Sequence, residues 1–151
     1  MRALLQRASE GQVVVDGKVI ASLSPAPGLV ALIGVGPRDT AAEATMIAGK
    51  IANLRIFADA EGKTNLSLLD VKGGALVISQ FTLYADTRRG RRPGYTTAAS
   101  PDIAEPLVAQ VCTELAALGV PVSTGQFGAH MEVTLTNDGP MTILLDTDEW
   151  R

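Results

Sequence analysis

Apolar and polar positions alternate near both ends of the chain and fall at helical spacing in between. Ala3 to Ser9 reads as a first strand. Val13-Val14-Val15-Asp16-Gly17-Lys18-Val19-Ile20 sets two β-branched runs about an Asp-Gly pair, which predicts a two-residue hairpin because Asp-Gly accepts positive φ. After the breaker Ser24-Pro25-Ala26-Pro27-Gly28, Leu29 to Val35 is apolar on both faces, the mark of a central strand covered from above and below. Ala75 to Ile78 predicts another buried strand, leading into Ser79-Gln80-Phe81-Thr82-Leu83-Tyr84. Later, Met131, Val133 and Leu135 alternate with Glu132, Thr134 and Thr136, and Thr142 to Leu145 is again β-branched and aliphatic. The string Asn137-Asp138-Gly139-Pro140-Met141 between these runs reads as a hairpin turn, although a proline after the glycine removes a backbone donor and admits a cis bond.

Two segments carry the helical period. Thr40 and Glu43 form a capping-box pair ahead of Ala44, Ile47, Ile51 and Leu54, which share one face. Ile103, Leu107, Val111, Leu115 and Leu118 mark a second helix that stops at Gly119, with Pro121 just beyond. At its start, a capping box from Asp102 to Glu105 conflicts with Pro106, so an irregular first turn is expected. Asp59-Ala60-Glu61-Gly62 is a turn, and no repeat or linker interrupts the pattern. The expected fold is α+β, a mainly antiparallel sheet with two principal helices, in a single domain over residues 1–151.

Composition sharpens this reading. With 46% hydrophobic and only 4% aromatic residues, the core must be aliphatic. A net charge of −3 argues against a surface devoted wholly to nucleic acid but leaves room for a local basic patch. One cysteine, Cys112, excludes an intrachain disulfide framework and fits a reducing compartment. Charged residues appear at once in Met1-Arg2-Ala3-Leu4-Leu5-Gln6-Arg7, and no apolar run approaches a membrane span, so a cytoplasmic protein without a membrane partner is expected.

Familiar catalytic constellations are missing. His130 is the sole histidine, and Cys112 lies among Val108, Val111 and Leu115 on a helix face, so neither a metal site nor a Cys-His pair is expected, and no cofactor is called for. Gly34-Val35-Gly36-Pro37 lacks the third glycine of a dinucleotide loop and the lysine of a P-loop. Two segments remain. Ser79, Gln80 and Thr82 place polar groups at the end of an apolar strand, either to satisfy loop backbone or to form a site; strand alternation would put Ser79 and Phe81 on one face and Gln80 and Thr82 on the other. Arg88, Arg89, Arg91 and Arg92, with Tyr95 nearby, suit phosphate and base, or form a solvated loop.

Taken together, Ser79-Gln80-Phe81-Thr82-Leu83, Ala85-Asp86-Thr87 with Arg92-Pro93, Ala99-Ser100-Pro101 and Asn137-Asp138-Gly139-Pro140-Met141-Thr142 resemble the D-aminoacyl-tRNA deacylases, and the resemblance covers essentially the whole chain. It implies a homodimeric editing hydrolase that cleaves the ester of a D-amino acid, or of glycine mischarged on alanine tRNA, from the 3′ end of tRNA. Gly139-Pro140 would be a cis motif reaching into the partner's pocket, where its carbonyls exclude L side chains. Ser79, Gln80 and Thr82 would line the reaction centre, and Phe81, Phe127, Met131 and Arg92 would bind substrate, Phe127 near the terminal adenine. The resemblance further implies catalysis without a side-chain nucleophile, assisted by the RNA 2′-hydroxyl and backbone donors. Two other readings stand beside it: a module that holds a tRNA end without hydrolysis, and an esterase using Thr82 or Ser79 as nucleophile.

Overall fold

The computed structural model of the protein describes residues 1–150. In chain order it contains β1 (Arg2–Val15), β2 (Lys18–Ser22), β3 (Gly28–Gly34), α1 (Ala41–Asn53), β4 (Phe57–Ala58), β5 (Thr64–Leu66), α2 (Leu68–Val71), β6 (Ala75–Ser79), a 3-10 turn (Phe81–Tyr84), α3 (Pro101–Ala117), β7 (Val122–Thr124), β8 (Glu132–Asp146) and a final 3-10 turn (Thr147–Trp150). The first hairpin forms as its Asp-Gly pair requires, with φ of 50° at Asp16 and 76° at Gly17. Helix α1 begins with the expected reciprocal cap: the Ala42 amide donates to Thr40 Oγ1 at 3.2 Å, and the Thr40 amide donates to Glu43 Oε2 at 2.8 Å.

Strand β1 is paired on both flanks. Along one it meets β8 from Arg2 to Val14; along the other it meets β3 through Arg2–Ala8 and β2 through Gln12–Val15, all antiparallel. Beyond β3, however, β3–β6 and β6–β7 are parallel. The sheet is therefore mixed, where a mainly antiparallel one was expected. The apolar runs at Leu29–Val35 and Ala75–Ile78, buried on both faces, are what parallel neighbours demand. A short third helix, α2, was also not foreseen; Ser67 and Asp70 cap it reciprocally.

The larger correction concerns β8. The two runs flanking Asn137–Pro140 do not pair with each other: both pair with β1, as one continuous strand. Gln6 faces Thr142 and Ala8 faces Asn137, so the intervening residues leave the ladder as a large bulge.

Two cores lie against the sheet. On one face, Ala44, Ile47 and Ile51 of α1 and Val111 and Leu115 of α3 pack on Leu5, Leu29, Ala31, Ile33 and Val77. On the other, Ala8, Val13, Leu23, Val30, Leu76 and Ile78 form a smaller cluster that receives Met131 and Leu135. The stripe on α3 is narrower than its sequence suggests, because Ile103 and Leu118 at its ends are exposed. Helix α3 starts at Pro101, after Ser100, and no capping box forms at Asp102. Pro106 lies inside it; the carbonyl it leaves unpaired belongs to Asp102, and since both residues are exposed, water can take the donor's place.

Strands β3 and β6 begin in very close contact. A Cβ on Gly28 would stand 2.2 Å from the Gly74 carbonyl oxygen, and neither backbone can yield, because the Leu29 amide donates to that same oxygen at 3.0 Å. Gly28→Ala is expected to destabilise the fold by about 2 kcal/mol or more, as overpacking does when no flexible side chain can move aside. An unchanged urea midpoint would show that the two strands can part here without loss.

Candidate active site

Ligands in sheets with parallel strands settle beyond the strands' carboxyl ends, where neighbouring connections diverge. Strands β3 and β6 end together at Ile33 and Ser79, and a cavity of about 350 Å³ opens there. Ile33, Val35, Ser79, Phe81, Ala99, Val108 and Phe127 are among its walls, and Tyr95 stands at Phe81 with ring centroids 5.0 Å apart in an edge-to-face arrangement. Both rings remain substantially exposed, Phe81 at 54% and Tyr95 at 40%. Behind Phe127 lies a second cavity of about 310 Å³, which shares Ser79, Val108 and Phe127 with the first and reaches Cys112 and Gly125.

The turn at the cavity's edge has a local cause. The Gln80 amide donates to Ile33 O at 2.7 Å, extending the pairing one step past β6, and then Leu83 N reaches back to Gln80 O and the chain winds into 3-10 geometry. Strand alternation therefore ends at Ser79, so the expected two-face division of Ser79–Thr82 does not hold. Phe81 and Thr82 are exposed, and the Gln80 side-chain amide donates to Thr82 Oγ1. Two further bonds fix the surrounding wall: Ala99 N to Val35 O at 2.9 Å, and Thr97 Oγ1 to Tyr84 O at 2.6 Å. Arg2 braces the turn from β1 by donating to Leu83 O at 2.8 Å and to Asp146 at 2.8 Å, with its guanidinium 4.5 Å above the Tyr84 ring.

No general base emerges from these groups. Burial, with Asp39 and Asp146 adding to it, pushes the Tyr84 hydroxyl far above its ordinary range, so it stays protonated. Asp39 is already engaged by the Met1 ammonium at 2.6 Å and the Gly36 amide at 2.6 Å. Burial also raises the Cys112 thiol, which keeps it neutral and a poor nucleophile. His130 is exposed and does not line either cavity. Among the described residues, no cluster of three histidine, cysteine or acidic side chains is arranged to hold a metal.

The Gly139–Pro140 bond is cis and lies at the exposed tip of the β8 bulge. Two side chains hold that bulge shut. Asn137 Nδ2 donates to Arg7 O and Met141 O, both at 3.0 Å; Arg7 donates to Asp138 O at 2.9 Å and to Ile56 O at 2.6 Å, with the Asp138 carboxylate 3.4 Å away. Gly139 has φ of 135°, and a Cβ there would meet Arg7 Nη2 at 2.8 Å. Arg7 thus closes the bulge from the facing strand; its signal in the sequence is a charge set between the apolar Leu4-Leu5 and Ala8.

The expected site residues divide into groups. Ser79, Phe81 and Phe127 meet at the cavity, whereas Gln80 and Thr82 flank Phe81 in the chain without lining the cavity wall. Met131 packs on the second core instead. Arg92 sits on an exposed loop outside the cavity wall. Gly139 and Pro140 are remote: the register places the bulge four residues along the sheet and three strands across from Ser79, roughly 20 Å at ~3.3 Å per residue and ~4.8 Å per strand.

Comparison with known proteins identifies the family of the chain. The family model for D-Tyr-tRNA(Tyr) deacylase matches residues 4–146. The D-aminoacyl-tRNA deacylase of Roseiflexus castenholzii is 60% identical over all of this chain and 95% of its own, and that of Lacticaseibacillus casei is 53% identical over 98% of this chain and 99% of its own. A solved structure named c-Myc DNA Unwinding Element Binding Protein superposes with a TM-score of 0.90 at 34% identity, covering 97% of this chain and 98% of that one. Matched by the family model from residue 4 to residue 146 and by relatives over its full length, the chain belongs to the D-Tyr-tRNA(Tyr) deacylase family.

Proposed function

We propose that this protein hydrolyses the ester between a D-amino acid and the terminal adenosine of tRNA, releasing the free amino acid and tRNA, with glycine mischarged on alanine tRNA as a further substrate. The observation that carries this reading is the apolar cavity at the ends of β3 and β6, lined by Ser79, Phe81 and Phe127, in a chain that the D-Tyr-tRNA(Tyr) deacylase family model matches over residues 4–146. The adenine packs against Phe127, and the ester carbonyl lies beside Ser79, Gln80 and Thr82. Water adds to the carbonyl carbon, assisted by the RNA 2′-hydroxyl; the C–O bond to the ribose then breaks, and the departing ribose oxygen takes a proton. Charge on the carbonyl oxygen is met by backbone N–H groups of the turn, a contribution of about 2.7 to 4 kcal/mol per donor in comparable sites.

Selection of the D form falls to Gly139 and Pro140. Rejecting an enantiomer by ~1000-fold needs roughly 4 kcal/mol, beyond the ~1 to 3 kcal/mol obtained from a single methylene in an apolar pocket. A fixed wall of backbone carbonyls imposes clash and desolvation on an L side chain without reading a D one. Since the motif stands roughly 20 Å from Ser79 of its own chain, it acts in the cavity of a second copy, so the working form is a homodimer. Among the described residues the outer edge of β8 has no strand partner, and β8 exposes Val133 and Leu144, which suits such a contact.

A second reading, a nucleic-acid-binding module without hydrolysis, is favoured by the arginine loop and by the DNA-binding name of the structural relative. The Thr82 nucleophile is disfavoured because its hydroxyl accepts from Gln80 and no base adjoins it.

D- and L-aminoacyl-tRNA charged with the same residue should separate these readings. Rapid loss of the D ester alone is expected; equal loss of both at the uncatalysed rate would overturn the proposal, and retained activity in Thr82→Ala would exclude Thr82 as the nucleophile. Gly139→Ala forces a side chain onto Arg7 from a backbone conformation that L residues rarely adopt. It should narrow the D/L ratio at least tenfold, and Arg7→Ala should do the same by releasing the bulge. A ratio unchanged in both variants would reduce the motif to a structural bulge.

The rate should also carry no break from a titrating side chain near neutral pH. Tyr84 and Cys112 are both shifted upward and remain protonated there. A bell-shaped profile of kcat/KM with a limb lost on His130→Ala would contradict a site without an acid–base side chain.

A further inference from the structure

Between Asp86 and Gly94 the chain makes a closed loop, pinned by reciprocal backbone bonds of 2.7 and 2.9 Å. Four arginines lie within it. Arg88 is consumed locally: its guanidinium donates twice to the Asp86 carboxylate at 2.8 and 2.7 Å, which holds that carboxyl well below the usual range. Arg89, Arg91 and Arg92 are exposed, make no hydrogen bond or ion pair among the described residues, and have no acidic residue beside them in sequence before Asp102. This concentration stands against a chain that otherwise has nine basic and sixteen acidic residues. Self-repulsion of three unpaired guanidinium groups on one short loop is tolerable only when water or an anion surrounds them.

We propose that Arg89, Arg91 and Arg92 clamp the phosphates of the RNA strand that leads into the cavity; the inference rests on the cavity being the seat of the terminal adenosine. The loop's foot is the reason for choosing RNA. Tyr95 follows Gly94 directly and forms the aromatic pair with Phe81 at the cavity mouth, so exposed rings stand at the foot of the loop that carries the free guanidinium groups. Rings beside cations suit bases and phosphates of one strand; an acidic protein or an anionic lipid surface would use the charges and leave the rings idle. Arginine's planar fork matches phosphate oxygens two at a time. Reach fits as well. Doubled back on itself, the loop extends about 10 to 12 Å from its foot at ~3.3 to 3.6 Å per residue. This corresponds to about three stacked nucleotides at ~3.4 Å each. The clamp therefore grips the strand about three nucleotides in from its end, where it is independent of the amino acid being removed.

The test compares wild type with Arg89→Ala/Arg91→Ala on two substrates: a full-length D-aminoacyl-tRNA, and the same D-amino acid esterified to adenosine alone. On tRNA, KM is expected to rise at least tenfold with kcat unchanged. The slope of log(kcat/KM) against log salt, taken over roughly 50 to 200 mM, should shrink by about 1.5, since each phosphate no longer neutralised removes ~0.7 to 0.9. On the adenosine ester nothing should change. Equal loss on both substrates, or an unchanged salt slope on tRNA, overturns the clamp. Fluorescence anisotropy with uncharged tRNA keeps this test apart from the hydrolase reading. If wild type cleaves neither ester, that reading fails, while weaker tRNA binding by the variant still supports the clamp and equal binding overturns it. Loss of binding to phosphatidylserine vesicles with tRNA affinity intact would assign the loop to membranes and likewise overturn the proposal.

Discussion

Between Gln6 and Ala8 the ladder of β1 and β8 is mismatched, with two steps of β1 spanned by five of β8. Both strands are long and each is held in register on either side of the fault, so the surplus chain has nowhere to go except outward. Gly139 and Pro140 stand at the tip because a glycine accepts the φ of 135° imposed there and a proline needs no hydrogen-bond acceptor for an amide that it lacks. Arg7 and Asn137 then convert a loose excursion into a fixed one by satisfying the carbonyls of Asp138, Met141 and Arg7 itself. Hydrogen bonds from a charged donor are worth about 1.5 to 3 kcal/mol each in comparable cases. The bulge is thus a braced feature of the sheet, which is what the proposed selection of the D form requires of it.

The same strand also braces the 3-10 turn that follows β6. Arg2, five residues before Arg7, reaches the carbonyl of Leu83 and lies over Tyr84, so β1 sets both the bulge and the 3-10 turn. Between those points β1 is paired with β3, whose end forms the cavity floor at Ile33. A displacement of β1 would therefore be felt in both places. Yet the sheet that links them also holds them apart, since strand spacing and rise are fixed by backbone geometry. A single copy cannot fold so as to bring Pro140 to Ser79 without dismantling three strand pairs.

Much of this was legible in the sequence, and the failures have identifiable causes. The Asp16-Gly17 hairpin, the Thr40 cap and the Gly119 stop are local signals, decided within a few residues, and each appears where it was expected. Strand pairing is not local. Alternation at Met131–Thr136 and Thr142–Leu145 shows two strand-like runs with turn residues between them, and nothing in that pattern says that both will pair with a third segment more than a hundred residues earlier. Parallel pairing of β3 with β6 was hinted at by apolar residues on both faces, but direction depends on how α1 and α2 carry the chain back. At the site, Ser79, Phe81 and Phe127 converge as the motifs suggested, while Met131 is drawn into the second core by its neighbours Leu135 and Ile78. Periodicity placed Met131 on an apolar face correctly and had no means of telling which apolar face it was.

Arg7 was missed for a related reason: its importance lies in carbonyl oxygens, which every residue has and no sequence displays. The buried polar side chains are similarly spoken for. Among the described residues no buried side-chain nitrogen or oxygen lacks a partner, and Asp39 binds an ammonium and a backbone amide and accepts from the Tyr84 hydroxyl at 3.4 Å. A carboxylate so committed is held by its partners and has no free lone pair directed at the cavity. What remains available around the turn is backbone amide, backbone carbonyl, a hydroxyl–amide pair and aromatic face. Such groups cannot take up a proton near neutral pH, but they can be positioned within tenths of an ångström by a ladder, a bulge and a 3-10 turn. The proposed separation of mirror images of one ester calls for fixed shape more than for reactivity, and fixed shape is what such a sheet can supply.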